Sequence, residues 1–267
     1  PRNKLYKSFV GLVDQIRPKV FVMENVPGLI RLFGGKVKEQ VLNDFSSLGY
    51  RVKVQQLSSD DYGVPQQRKR VFFVGVNAEK ISKKNEFEFP KAEYGDGMKP
   101  YVTCKEAISD LDFVPDDVSL GENIAYKIPA QSEYQNLMRK GSHSIKNHSI
   151  TIHKEQTKKI IAMVPDGGNY KDLPIELQNT RKVHIAWTRM NSEKPCFTID
   201  TGHNHHFHYK ENRVPTVRES ARIQSFPDKF EFIGIKTSQL KQVGNAVPPL
   251  MARAIAKEVI KTIGDTR

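Results

Sequence analysis

Three short stretches of this 267-residue chain combine residue types and spacings that could do chemistry. The first is Val20-Phe21-Val22-Met23, followed by Glu24, Asn25, Val26, Pro27 and Gly28. β-Branched and aromatic residues after a proline read as a buried strand, and the Pro-Gly pair reads as its exit turn. A glutamate at the carboxyl end of such a strand sits where open α/β sheets place their ligands. There it can give or share a proton; its plainer role is an ion pair or a cap. The second stretch is Gln66-Gln67-Arg68-Lys69-Arg70, between Gly63-Val64-Pro65 and a strand beginning at Val71. Alternation sends Arg68 and Arg70 to the face of Gln66, with Lys69 opposite. Two guanidinium forks side by side can hold a phosphate or the carbonyl edge of a base, and can fix a nearby carboxylate. A solvated basic edge strand is the alternative. The third is Gln242-Val243-Gly244-Asn245-Ala246-Val247-Pro248-Pro249. Gly and Asn in a tight turn before a proline-started helix leave backbone N–H groups for an anion, although glycine turns before helices are common.

The elements that must position these residues follow from periodicity. Leu5, Phe9, Leu12, Val13 and Ile16 fall at helical spacing, and Pro18 closes that segment. Val37, Val41, Leu42, Phe45 and Leu48 make a second amphipathic helix, with Gly49 as its C-terminal cap. Tyr50, Val52 and Val54 alternate as a strand, and Val71 to Val76 form another. The order α-β-α-β-loop-β is half of an α/β sheet. From Lys80 to about residue 215, prolines and glycines interrupt the pattern and predict short strands and loops; His153 to Val164 is one short helix. Thr216-Val217-Arg218-Glu219 has capping-box spacing, and Pro248-Pro249 opens a last helix with Leu250, Met251, Ala254, Ile255 and Val259 on its apolar face. The expected organisation is a sheet domain over 1–79 and 236–267, with 80–235 as a second domain inserted into it.

The formal charge of +12 and pI near 9.5 favour polyanionic partners through phosphate contacts and counterion release. Apolar runs such as Val20–Met23 are far short of a membrane span, and the charged start is unlike a secretory leader. Two cysteines, Cys104 and Cys196, are too few for a disulfide framework. His203, His205, His206 and His208 have strand spacing suited to a metal, but no Cys or Asp lies close enough in sequence to complete a site; no metal is expected.

Taken in order, Val20–Pro27, Pro65–Gly75, Arg218–Asp228 and Gly244–Pro249 resemble the later motif series of the DNA cytosine-5 methyltransferases. Glu24-Asn25-Val26 matches that family's Glu-Asn-Val motif, and Gln66, Arg68 and Arg70 its Gln-x-Arg-x-Arg motif. Arg218, Glu219, Arg222, Phe226 and Pro227 match Arg-Glu-x-x-Arg-x-x-x-Phe-Pro; Gly244, Asn245, Val247, Pro248 and Pro249 match Gly-Asn-x-Val-Pro-Pro. The resemblance implies the second half of a Rossmann-like methyltransferase sheet domain with an inserted, loop-rich target recognition domain. It implies methyl transfer from S-adenosylmethionine to C5 of a cytosine flipped out of double-stranded DNA, in a bacterial, cytoplasmic restriction–modification setting. Glu24, partly buried so that its pKa rises, would serve cytosine N3; Arg70 would hold O2 and orient Glu24. Arg68 would steady the loop, and Asn25 would fix the strand end. Asn245, Ala246 and Val247 would touch the cofactor, and Gln66, Arg189 and Arg218 the DNA. Within the second domain, the polar stretch Gln131, Asn136, Arg139, Lys140, His143, Lys146 and Asn147 is a candidate base-reading segment.

Some of the family's parts have no counterpart in these residues. Its nucleophile lies in a Pro-Cys loop upstream of the Glu-Asn-Val strand, whereas Cys104 and Cys196 lie downstream among other neighbours. Its glycine-rich cofactor loop has no match. The expectation is therefore a C-terminal portion, inactive alone and completed by a missing N-terminal half, either in cis as a fragment's lost partner or as a separate subunit. A non-catalytic DNA-recognition subunit and a tRNA cytosine-5 methyltransferase are the alternatives. An exposed sheet edge would favour dimerisation.

Overall fold

The computed structural model describes residues 5–113, 123–178, 187–199 and 206–264. Contacts divide the chain into two compact units, one made of 1–59, 69–92 and 251–267, the other of 60–68 and 93–250.

The first unit contains helices α1 (Leu5–Ile16) and α2 (Lys36–Ser47) and most of a C-terminal helix, Pro249–Ile263. The first four strands of the chain are β1 (Val20–Asn25), β2 (Tyr50–Ser58), β3 (Gln66–Gln67) and β4 (Lys69–Asn77), of which β3 belongs to the second unit. The sheet has the order β1-β4-β2, and β4 runs antiparallel to both neighbours. β1 and β2 are thus joined by a helical crossover and point the same way, with β4 between them. Alternation does the sorting: Phe21, Met23, Val71 and Phe73 face α1 and α2 and pack with Val13, Val41, Phe45 and Tyr50. The helix over Leu5–Ile16 forms as its spacing predicts, yet only Val13 on it is fully buried, and Leu5, Leu12 and Ile16 stay exposed.

One glycine is required by this packing. Phe21 lies opposite Gly75, and a Cβ at Gly75 would come within 2.0 Å of the Phe21 ring. That ring in turn stacks on Phe45 at 4.2 Å between centroids.

The second unit carries α3 (Cys104–Ile108), α4 (Glu133–Arg139), α5 (Glu155–Ala162), α6 (Ile175–Gln178), β5 (Thr188–Arg189), β6 (Cys196–Phe197), β7 (His206–Phe207), α7 (Val217–Ile223) and α8 (Lys236–Asn245). The C-terminal helix Pro249–Ile263 is α9. β3 pairs with β6 and β5 with β7, both in parallel. At the centre is α7, every residue of which is buried, including Arg218, Glu219 and Arg222. Thr216 caps it, with reciprocal bonds between Thr216 and Glu219, as the capping-box spacing predicts.

An interior this charged holds only if each ion is matched. Arg222 donates Nε and Nη2 to the Asp228 carboxylate at 2.5 and 2.6 Å, and both Nη groups to Asp110 at 3.2 Å. Burial works against its charge, but Asp228 and Asp110 outweigh burial and hold its pKa above the ordinary arginine value. Glu219 receives both Nη groups of Arg213, at 2.8 and 2.6 Å. Burial alone would raise the Glu219 pKa; Arg213 and His208 hold it well below the usual carboxylate range.

The unit boundaries depart from those expected from the sequence. Residues 80–92 stay with the sheet, where Arg51 donates to the carbonyls of Ile81 and Ser82 and Lys53 pairs with Glu86 and Glu88. Residues 236–250 fall in the second unit, because Leu240, Val243, Ala246 and Leu250 pack with Val217, Ala221 and Ile223.

In the sheet, Gly75→Ala forces the Phe21 ring out of place and lowers stability by about 1–3 kcal/mol, read as a lower urea midpoint. The second unit should respond to acid. His208 is fully buried, its Nδ1 accepts the N–H groups of Lys210 and Glu211, and desolvation lowers its pKa to about 3 despite Glu219. The unfolded chain takes up this proton near pH ~6.5, the folded protein only near pH 3. Stability is thus intact above about pH 6.5 and falls by about 1.4 kcal/mol per pH unit below it. His208→Asn should flatten denaturation midpoints between pH ~5 and ~6.5 relative to the parent; an unchanged slope would contradict the assignment.

Candidate active site

Glu24 is the penultimate residue of β1, and the antiparallel register sets Glu24 opposite Phe72. Arg70 is two residues back along β4, so the two side chains are diagonal neighbours on one face of the sheet. Glu24 Oε1 lies 2.9 Å from Arg70 Nε. Neither is sealed off: the Glu24 side chain is 29% exposed and that of Arg70 14%. Arg70 also donates Nη1 to the Lys69 carbonyl at 2.7 Å. Burial lowers the Arg70 pKa, and Glu24 works in the opposite direction. Asn25 turns its side-chain carbonyl onto the Val26 N–H at 2.9 Å, which fixes the chain as it leaves the strand. Two sequence-predicted residues, Glu24 and Arg70, are therefore brought into direct contact within the first unit.

Gln66, Arg68 and the turn after α8 belong to the second unit. Arg68 is buried and donates Nη2 to the Gly244 carbonyl at 2.7 Å. Gln66 is buried too; its Oε1 accepts the Ile199 N–H, and its Nε2 donates to Gln224 Oε1 at 2.5 Å. Gln224 passes the chain on, donating to the Ala246 carbonyl at 2.7 Å. This relay fixes the backbone of Gly244 and Ala246. Gln224 was not singled out by sequence reasoning; apart from its place between Arg222 and Phe226, it carries no local signal.

Several expectations change here. Gly244 and Asn245 are not in a tight turn but form the last residues of α8, whose Val243 is buried in the core. The turn is Ala246–Pro248, and the Ala246 N–H is spent on the Val243 carbonyl. Asn245 is exposed, with Ala246 and Val247 half-buried. Gln66, Arg189 and Arg218, expected at the DNA, face the interior. Arg189 donates to the carbonyls of Val164, Ile161 and His208 and to Asn212 Oδ1. Arg218 donates to the carbonyls of Lys146, Pro227 and Phe230. In the polar stretch suggested for base reading, Arg139 is held by Asp110 and Lys146 by Glu231, and Asn147 braces the Phe232 backbone.

Of the four histidines, His203 and His205 lie outside the described residues. His206 stacks on Phe197 at 4.2 Å, and His208 is buried, with Nδ1 occupied by backbone N–H groups. Among the described residues no cluster suits a metal. Both cysteines are buried.

If Arg218 is an interior brace, Arg218→Ala strands its carbonyl partners and costs about 3–5 kcal/mol. Thermal unfolding should fall accordingly, while the salt dependence of any DNA binding keeps its slope. A lower salt slope with unchanged stability would return Arg218 to the DNA.

The family model for C-5 cytosine-specific DNA methylase matches residues 1–261. The chain is 36% identical over 261 residues to the Type II methyltransferase M1.HphI of Haemophilus parahaemolyticus, covering 98% of this chain and 62% of that protein. It is 33% identical over 273 residues to the Type II methyltransferase M.NgoFVII of Neisseria gonorrhoeae, covering 99% and 64%. The chain thus spans under two thirds of the length of these relatives. Among solved structures, an E. coli prophage-encoded protein assigned as a DNA modification methyltransferase superposes with a TM-score of 0.73 at 25% identity, over 97% of this chain and 73% of that one. A Spodoptera frugiperda DNMT2 variant superposes at 0.52 with 12% identity, over 97% and 70%, a likeness of fold alone.

Proposed function

The chain belongs to the C-5 cytosine-specific DNA methylase family, and from that premise we propose that it supplies the cytosine-binding carboxylate and the DNA-reading part of a methyl transfer to cytosine C5 in double-stranded DNA. The observation that carries this reading is the Glu24–Arg70 pair, 2.9 Å apart at the open end of β1 and still partly exposed. The first unit is read as part of a Rossmann-like sheet domain, the second as containing the target recognition domain. The Type II relatives point to a restriction–modification setting.

The chemistry suits the pair. C5 of cytosine becomes nucleophilic only after a thiolate adds to C6, and charge then builds toward N3. Glu24 holds a proton at N3 through one carboxyl oxygen while the other stays on Arg70 Nε. Arg70 Nη2 makes no hydrogen bond among the described residues and is the donor for cytosine O2. Asn25 keeps the strand end in place. The target base must leave the duplex to reach these groups, at a cost of a few kcal/mol. S-adenosylmethionine, when bound, supplies the methyl group. Exposed Asn245 and half-buried Ala246 and Val247, on a backbone braced by Arg68 and Gln224, fit one edge of its site.

No accessible thiol accompanies this site. Cys104 and Cys196 are 0% and 1% exposed in an apolar core, and burial raises the Cys196 thiol pKa. The 267-residue polypeptide alone should therefore transfer no methyl group from tritiated S-adenosylmethionine to DNA. Added polypeptide carrying the nucleophile and glycine loop should restore turnover, and Glu24→Gln in that assembly should lower kcat by about 10²–10⁴. Robust turnover by the chain alone, or a Glu24→Gln assembly of parental activity, would refute the reading.

A further inference from the structure

The segment that follows Glu24 has features that the ion pair does not use. Between Asn25 and Lys38 the chain carries three basic residues, Arg31, Lys36 and Lys38, and no acidic one. Among the described residues none of the three forms a salt bridge. The stretch Pro27–Gly35 is a helical turn that breaks at Leu32, where ψ opens to 131°. Phe33 then takes φ 51° and ψ 45°, a left-handed conformation that costs a bulky residue energy, and Gly34 and Gly35 continue at φ 66° and 93°. The strain does not serve burial: Phe33 is 70% exposed, and Val26, on the strand's exit, is 53% exposed. An aromatic ring held out in a strained backbone has no folding benefit to explain it, and such outliers collect at binding sites.

We propose that this segment is a DNA contact of the site, in which Phe33 stacks on a nucleobase beside the target cytosine while Arg31 and Lys36 hold flanking phosphates. The partner follows from complementarity. Unpaired cations with no intervening carboxylate suit a polyanion, and a single exposed ring among them suits the face of a base. An apolar protein surface would leave those cations facing nothing. The Pro27–Gly35 stretch begins two residues after Asn25 and lies in the same compact unit as Glu24 and Arg70, so a base held there is near the strand end that receives the cytosine. The inference rests on the function proposed above, since it takes DNA as the substrate.

Phe33→Trp provides the direct test. The native Trp187 is buried and belongs to the other unit, and a parallel titration of the parent chain subtracts its contribution. Titration of Phe33→Trp with a short duplex carrying one unpaired cytosine should quench the new tryptophan emission. Phe33→Asn, which suits a left-handed backbone, should leave the thermal midpoint equal or higher and weaken binding of that duplex about tenfold. Arg31→Ala with Lys36→Ala should reduce the slope of log affinity against log salt by about 1–2. Unquenched emission from the Phe33→Trp variant at saturating duplex, a Phe33→Asn affinity within about twofold of the parent, or no binding of the duplex by the parent chain would each overturn the proposal. Glu24→Gln separates the two readings: it removes methyl transfer in the completed assembly, but added to Phe33→Trp it should leave the quenching intact. Quenching without any Glu24 dependence of activity would refute the proposed catalytic role and leave this contact standing.

Discussion

The Glu24–Arg70 pair exists because β1 and β4 run antiparallel in one particular register. With Glu24 opposite Phe72, Arg70 becomes its diagonal neighbour on the same face, and the side chains meet at 2.9 Å. A slip of one residue would send one of them to the other face of the sheet. The register is pinned a few residues away, where the Phe21 ring lies over Gly75 in space that any side chain at 75 would fill. Packing against α1 and α2 therefore determines where a charged pair stands at the strand end. The helix face, the glycine and the carboxylate are links of one chain of cause.

In the second unit an apolar core is threaded by buried charge. Arg222 between Asp110 and Asp228, Glu219 with Arg213, and Arg189 and Arg218 on backbone carbonyls are all buried. Such networks give less stability than an apolar core of the same volume, but a missing partner is costly, so they tolerate only one arrangement. They also change the meaning of the net charge of +12. Several of the most conspicuous arginines are consumed by the interior, and the cations free to meet a polyanion lie elsewhere, Arg31 and Lys36 among them.

The first unit was largely legible in the sequence because its signals are local. Apolar spacing marked α1 and α2, alternation marked β2, and apolar runs marked β1 and β4. In the second unit the Thr216–Glu219 spacing marked the start of α7. The Glu24–Arg70 contact was anticipated from the motif resemblance, and the β1–β4 register supplies its geometric reason. What could not be read was anything that depends on which buried group a side chain answers. Arg189 and Arg218 look like surface cations, and only tertiary packing reveals the carbonyls that claim them. The Gly244-Asn245 pair suggested a turn, but buried Val243 carries the helix through both residues. Gln224 bridges Gln66 and Ala246 across long sequence separations, for which no local pattern exists.

The central claim is that Arg70 and Glu24 together receive a cytosine, and the Arg70 Nε–H group reports on it directly. In ¹⁵N-resolved NMR spectra of the chain, millimolar deoxycytidine monophosphate should shift the Arg70 side-chain resonance, and thymidine monophosphate should not. The shift should vanish in Glu24→Gln, where N3 loses its carboxyl partner. Equal responses to the two nucleotides, or a cytosine response that survives loss of the Glu24 carboxyl, would contradict the account.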